Sequence, residues 1–166
     1  MSRFIKFLAL LLVILLLVSC KSSPFSSLSA EKVLHGQVID VLDGDTVKLR
    51  SDWHIYKIRL AGIDAPEKQQ AYGVQSKIYL EHLIADKDVL VKVASCDQYG
   101  RYVGKIYLNG KDINGEMIRS GYAWHYYQYY SDPVYAVFML NAQRFNRGLW
   151  QEAHPTPPWI FRKGRS

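Results

Sequence analysis

The alternation of apolar and polar positions divides the chain into distinct stretches. Arg3 and Lys6 precede twelve unbroken apolar residues, 7–18, and a Ser-rich polar stretch, 21–31, follows. From residue 33 the apolar positions come in short bursts. Residues 33–40 and 46–50 are rich in Val, Ile and Leu and are joined through Asp43-Gly44-Asp45; an Asp-Gly pair between apolar runs predicts a hairpin. Residues 55–60 alternate with period two, which puts Ile55, Lys57 and Arg59 on one face and Tyr56, Ile58 and Leu60 on the other. Over 72–85 the period lengthens to that of a helix, with Tyr72, Gln75 or Ser76, Tyr79, Leu80, Leu83 and Ile84 on one side. Residues 89–94 and 102–108 predict strands flanking the polar turn 96–101, and Asn109-Gly110 ends the second. Residues 113–120 predict a short helix closed by Gly121. Pro133 opens the last helix at a permitted first-turn position and Gly148 ends it. Beyond His154, prolines 155, 157 and 158 and a cluster of cationic residues predict a loosely ordered tail.

Five strands, with one helix between the third and fourth, match a β-rich α+β fold: a five-stranded OB-fold barrel with three flanking helices. Element order leaves a five-stranded sheet with helices on one side as the alternative. Either architecture gathers its connecting loops, where the unusual residues lie.

The apolar run 7–18 is short of the ~20 residues of a spanning helix and has the charged start of a secretory signal. It ends Leu17-Val18-Ser19-Cys20, which resembles the bacterial lipobox. That resemblance implies cleavage before Cys20, acylation of its thiol and anchoring in a lipid bilayer, the protein facing the periplasm or the cell exterior. A signal peptide cut elsewhere, or a short uncleaved anchor, is the other reading. The expected organisation is a signal peptide at 1–19, the lipidated Cys20 and a Ser-rich tether at 20–31, a globular domain at 32–152 and a Pro/basic tail at 153–166.

Length and composition sharpen this division. The 166 residues suit one domain, and 49% apolar with 22% charged residues excludes a wholly disordered chain. Twenty-one Lys and Arg against 15 Asp and Glu give a net charge of +6, which suggests an anionic partner. Two cysteines build no disulfide scaffold. With Cys20 lipidated, Cys96 is expected as a small, partly buried residue at a strand end.

Candidate chemistry sits in three loop segments. They are Asp43-Gly44-Asp45-Thr46, residues 59–67 (Arg-Leu-Ala-Gly-Ile-Asp-Ala-Pro-Glu) and Asp97-Gln98-Tyr99-Gly100-Arg101. Each alone is an ordinary turn. Together they predict a phosphodiester site. Carboxylates gathered about 5 Å apart repel by on the order of 3 kcal/mol a pair at an effective dielectric near 20. A hard divalent cation with oxygen ligands relieves that repulsion. Arginine's planar fork fits two phosphate oxygens, and a spare carboxylate is suited to activating water.

In order and spacing these segments, with the closing Gly148-Leu149-Trp150, resemble the staphylococcal nuclease family over about residues 34–150. The resemblance implies the decorated OB barrel and Ca²⁺-dependent hydrolysis of DNA and RNA to 3′-phosphate ends. By matching position it implies Asp45, Asp64 and the Ala65 carbonyl as Ca²⁺ ligands, with Asp43 behind them. Glu67 would orient or deprotonate the attacking water. Arg59 and Arg101 would hold the phosphate and its transition state, with Tyr99 near a phosphate or base. Many members carry Thr where Ala65 stands, and the best-known member carries Lys where Gln98 stands; each change removes a side-chain contact. Between 122 and 135 the sequence is crowded with tyrosines, and those matching the family's nucleotide pocket are Tyr127 and Tyr129. His125 is expected in a surface or core role. No protein partner is inferred and a monomer is expected. A non-catalytic nucleic-acid-binding barrel is the competing class; lost arginine or glutamate positions would favour it, and none are lost.

Overall fold

A computed structural model describes residues 32–164. The expected signal sequence, Cys20 and the Ser-rich tether lie outside the described residues. Among the described residues, no helix is long and apolar enough to cross a membrane.

Five strands close on themselves. Strand β1 (Lys32–Asp43) and β2 (Thr46–Ser51) form the expected hairpin, and β3 (His54–Leu60) extends it. A two-residue strand β4 (Ile63–Asp64) and helix α1 (Gly73–Ile84) follow. Strands β5 (Asp88–Cys96) and β6 (Tyr102–Leu108) form a second antiparallel pair. Strand β1 is long enough to serve both halves: its residues 32–37 pair with β5 and 37–43 with β2. Register shifts between Val38 and Asp40 and between Val41 and Asp43 bend it from one partner to the other, as bulges do. Parallel pairing of Ile58, Arg59 and Leu60 with Tyr102, Val103 and Gly104 closes the barrel. This is the five-stranded OB-type barrel, not the open sheet.

Alternation places the core. Val38, Val47, Leu49, Ile58, Leu60, Val91 and Ile106 point inward and are buried. Ile55 and Lys57 stay outside on the opposite face of β3, as the period of two requires. Helix α1 covers one end with the buried stripe Ser76, Leu80 and Ile84, and Tyr79 and Leu83 pack beside it. The hairpin turn lies hard against this helix. A Cβ on Gly44 would sit 2.0 Å from the Ser76 hydroxyl oxygen, so the close approach requires glycine.

Beyond β6 come β7 (Lys111–Asp112), α2 (Ile113–Arg119) and β8 (Trp124–His125), which pairs with β4. Helix α3 (Pro133–Arg144) starts with Pro133 in its first turn, and Asp132 caps it by accepting from the Val134 N–H at 2.9 Å. It ends at Arg144, short of Gly148, and a 3₁₀ turn follows over Gly148–Gln151.

Two expectations are corrected. The tail is ordered: Pro158–Lys163 forms a further helix, α4, so α3 is not the last. The prolines that suggested disorder instead pre-set its entry, with Pro158 in the first turn and buried. Cys96, expected to be partly buried, is exposed and in no disulfide; it pairs with Tyr102 beyond the register shift between Val93 and Ser95, where residues 94–96 of β5 are all exposed.

Candidate active site

The three loop segments meet at one end of the barrel. They line an open cleft of about 560 Å³ together with residues from the β8–α3 loop and from α4. Two features of the fold bring them together. The β1–β2 hairpin holds Asp43 and Asp45 beside the end of β3, where the Leu60 N–H donates to the Asp45 carbonyl at 2.8 Å. Barrel closure pairs Arg59 with Val103, two residues past Arg101.

Arg59 is the hub. Its Nη1 donates to the carbonyls of Leu60 and Ile63 at 3.0 and 2.9 Å and lies 3.1 Å from Asp45 Oδ2. Its Nη2 donates to Asp64 Oδ1 at 2.9 Å. The loop 61–63 is therefore wrapped around the guanidinium. Gly62 turns it with φ of +75°, and a Cβ there would lie 2.7 Å from the Tyr130 ring.

Asp45 is nearly enclosed. Its Oδ2 accepts the Ala65 N–H at 2.8 Å and its Oδ1 accepts the Thr46 hydroxyl at 3.0 Å. Asp43 accepts the Asp45 N–H at 3.0 Å, bracing the turn. Burial, and then the charge of Asp45, push the Asp43 carboxyl up to about 6. Asp64, on β4, is buried; that burial raises its carboxyl above the usual range, against the lowering effect of Arg162 and Arg59.

The third segment is a tight turn built on Asp97. Its Oδ1 accepts the N–H groups of Tyr99 and Arg101 at 2.9 and 3.0 Å, and its Oδ2 accepts Arg101 Nε at 2.7 Å. Partial desolvation opposes ionisation of Asp97, but these bonds prevail and hold it below the usual carboxylate range. They also aim the Arg101 guanidinium, which lies 5.5 Å from the exposed Tyr99 ring.

Asp43, Asp45, Arg59, Asp64, Ala65, Glu67, Tyr99, Arg101 and Tyr129 all border the cleft. Tyr127 is exposed and does not line it; Tyr126 does. This segment is a turn, in which the Tyr129 and Tyr130 N–H groups bond back to the Tyr126 carbonyl at 3.2 and 3.3 Å. His125 is buried, its Nε2 2.8 Å from the Tyr130 carbonyl, a core role. Arg162, on α4, was not expected at all. Its Nη2 donates to Asp64 Oδ2 at 2.8 Å and its Nη1 to Glu67 Oε1 at 2.8 Å. No motif near residue 162 announces this; it is a matter of tertiary placement.

Among the described residues, no three His, Cys, Asp or Glu side chains converge as a ready ion cage. Two buried carboxylates, Asp45 and Asp64, with Ala65 also bordering the cleft, nonetheless offer hard oxygen donors. They suit a divalent cation that completes its shell with water. A second open cavity of about 620 Å³, bordered by His35, Asp88, Lys92 and Tyr107, gathers no comparable set of acids and arginines.

Residues 57–152 match the family described as staphylococcal nuclease homologue. An uncharacterized endonuclease of Escherichia coli O157:H7 is 45% identical over 130 residues, covering 78% of this chain and 85% of that protein. An uncharacterized endonuclease of Haemophilus influenzae is 40% identical over 128 residues, covering 76% of this chain and 72% of its own. On the matched residues and the shared barrel, this chain belongs to the staphylococcal nuclease family.

Proposed function

We propose that the protein hydrolyses phosphodiester bonds of DNA and RNA in a Ca²⁺-dependent reaction that leaves 3′-phosphate ends. The observation that carries this is the Arg59 hub, which fixes Asp45 and Asp64 in one wall of a cleft that Glu67 and Arg101 also border. Asp45, Asp64 and the Ala65 carbonyl would hold the cation, which when bound polarises a phosphate oxygen and offsets charge.

Glu67 is the available base. It is part-exposed at the cleft edge, and its loop is set by the Glu67 N–H donating to Gln70 Oε1 at 3.2 Å. A water held by its carboxylate, on the side of the phosphorus opposite the 5′ oxygen, would lose its proton to Glu67 as it attacks. Charge then grows on the equatorial oxygens, which Arg59 and Arg101 would stabilise. The 5′ oxygen departs, leaving phosphate on the 3′ side. Tyr99 and Tyr129 offer sequence-tolerant stacking to bases. The charged start, apolar run and Cys20 support attachment to a bacterial membrane, with the barrel facing the periplasm or cell exterior.

The test is incubation of purified residues 21–166 with single-stranded DNA and RNA in Ca²⁺, Mg²⁺ or chelator. Cleavage in Ca²⁺ with 3′-phosphate ends, abolished by chelator, is the expected result. Binding without cleavage would establish a nucleic-acid-binding barrel instead.

A further inference from the structure

Helix α4 carries Arg162 into the cleft from the C-terminal end of the chain. Its guanidinium bridges Asp64, at 2.8 and 3.3 Å, and Glu67, at 2.8 Å. These acids stand for cation binding and water activation in the reading proposed above, on which this inference rests. We propose that Arg162 is a third substrate-binding arginine. Its fork, which pairs with these carboxylates, transfers to a substrate phosphate when nucleic acid and cation occupy the site.

Three observations converge. First, the ion pair is not what docks α4. Trp159 stacks on Tyr126 at 5.2 Å and 13° and meets Trp124 edge-on at 5.6 Å, Pro158 is buried, and Gln70 donates to the Thr156 carbonyl. The backbone below Arg162 is thus held independently, and its side chain can change partners. Second, the two arginines on Asp64 differ in freedom. The Arg59 side chain is 15% exposed and is also tied to main-chain carbonyls, whereas that of Arg162 is 43% exposed at the cleft mouth. Arg162 is the partner that can leave.

Third, the charge of the loaded cleft requires it. Among the described residues, five carboxylates (Asp43, Asp45, Asp64, Glu67 and Asp97) line the cleft against three arginines (Arg59, Arg101 and Arg162). A divalent cation brings the formal sum to zero with Arg162 and to minus one without it. A polyanion entering a site of net negative charge is repelled, so Arg162 makes the loaded cleft receptive. The same contacts explain how the charge is kept in place before substrate arrives. Arg162 is held by acids that a cation and a water then claim.

The experiment compares the parent with Arg162→Ala and Arg162→Lys, using steady-state cleavage of single-stranded DNA in Ca²⁺. In parallel, fluorescence anisotropy follows binding of a hydrolysis-resistant phosphorothioate oligonucleotide in Ca²⁺ across a salt series. For Arg162→Ala, KM and the dissociation constant should rise about tenfold with kcat little changed, as expected for loss of one charge-assisted contact. The slope of log affinity against log salt should shrink by about 0.7, the signature of one lost phosphate contact on a single strand. Arg162→Lys should recover the slope but only part of the affinity, because it keeps the charge and loses the fork. An unchanged KM and salt slope in the Ala variant would overturn the inference. So would a fall in kcat alone, which would mean that Arg162 acts only on the carboxylates. If the parent cleaves and the variant behaves as the parent, this inference alone fails. If the parent binds but never cleaves, the nuclease reading fails, and the salt slope still judges Arg162.

Discussion

Asn114 tests whether the catalytic loop is held from behind by the core. It is fully buried near the start of α2, between β6 and the loop that follows Arg59. Its Oδ1 accepts the Ile106 N–H at 3.0 Å, and its Nδ2 donates to the carbonyls of Ala61 at 2.9 Å and Gly104 at 3.1 Å. Asn114→Leu keeps the volume and removes all three bonds. The Gly104 carbonyl retains the Ala61 N–H at 2.8 Å, so two buried groups, the Ile106 N–H and the Ala61 carbonyl, lose this partner. At about 1–3 kcal/mol for each of the two buried groups left unpaired, less about 1–2 kcal/mol gained by burying the leucine, the net loss is about 2.5 kcal/mol at the middle of a range of about 0–5. That is a large share of the ~5–15 kcal/mol that a domain usually has. Urea unfolding followed by tryptophan fluorescence should show a lower midpoint with the slope retained. A variant more stable than the parent would refute the reasoning. Asn114→Asp supplies a control of opposite character. Ionised, it points a charge at two carbonyl oxygens; protonated, it can donate to one of them. Its deficit should therefore be larger at pH 7 than at pH 4, and a deficit independent of pH would count against the assigned bonds.

Arg101→Ala should lower kcat by on the order of 10²–10³ with stability nearly unchanged, since its partners lie in one exposed turn; an unaltered rate would remove it from the reaction. Arg59→Ala should lower both rate and stability, because the same guanidinium also ties the loop carbonyls; a thermal midpoint equal to the parent's would contradict its role as hub. Asp43 has its folded carboxyl raised to about 6 from 3.8, so its penalty is full above pH 6 and gone below 3.8. In chelator, Asp43→Asn should then stabilise the protein by about 2 kcal/mol at pH 8 after allowance for partial exposure, and by nothing at pH 3.5, as thermal melts at the two pH values would show. Cys20→Ser should move the protein from the membrane pellet to the supernatant, and continued sedimentation with membranes would defeat lipidation.

Barrel and site were legible to different depths for physical reasons. Strands were readable because alternation across a half-buried sheet is a local property; Ile58 and Leu60 inward, Ile55 and Lys57 outward, is visible in six consecutive residues. The acids and arginines of the three turns were readable because each turn is itself local, as with Asp97 gathering the N–H groups of Tyr99 and Arg101. Which tyrosines of 126–130 face the cleft was not legible locally, because the backbone there turns on the Tyr126 carbonyl. Asn114 and Arg162 act on residues 53 and 98 positions away, so no local pattern contains them. For α4 a local cue did exist. A proline followed by Trp159, Ile160 and Phe161 is a permitted helix start bearing apolar side chains, and the neighbouring prolines and basic residues obscured it.

This difference bears on how the site can be lost. Asp45 and Asp64 meet through the β2–β3 pairing, with Thr46 opposite Arg59, whereas Arg101 joins them only when β3 pairs with β6 and closes the barrel. Arg59 sits within that closing pair, opposite Val103, and reaches from it to both acids. Closure therefore completes the cleft by bringing the Arg101 turn to acids that Arg59 already gathers. A partly unfolded chain that keeps the β1–β3 strands and the Asp97 turn but not the β3–β6 pair keeps every motif intact and yet has an incomplete site, because Arg101 no longer faces the acids. Substitutions that loosen the β3–β6 pair should accordingly abolish activity without touching any residue of the three motifs. The motifs identify the chemistry, and the parallel seam between β3 and β6 makes it possible.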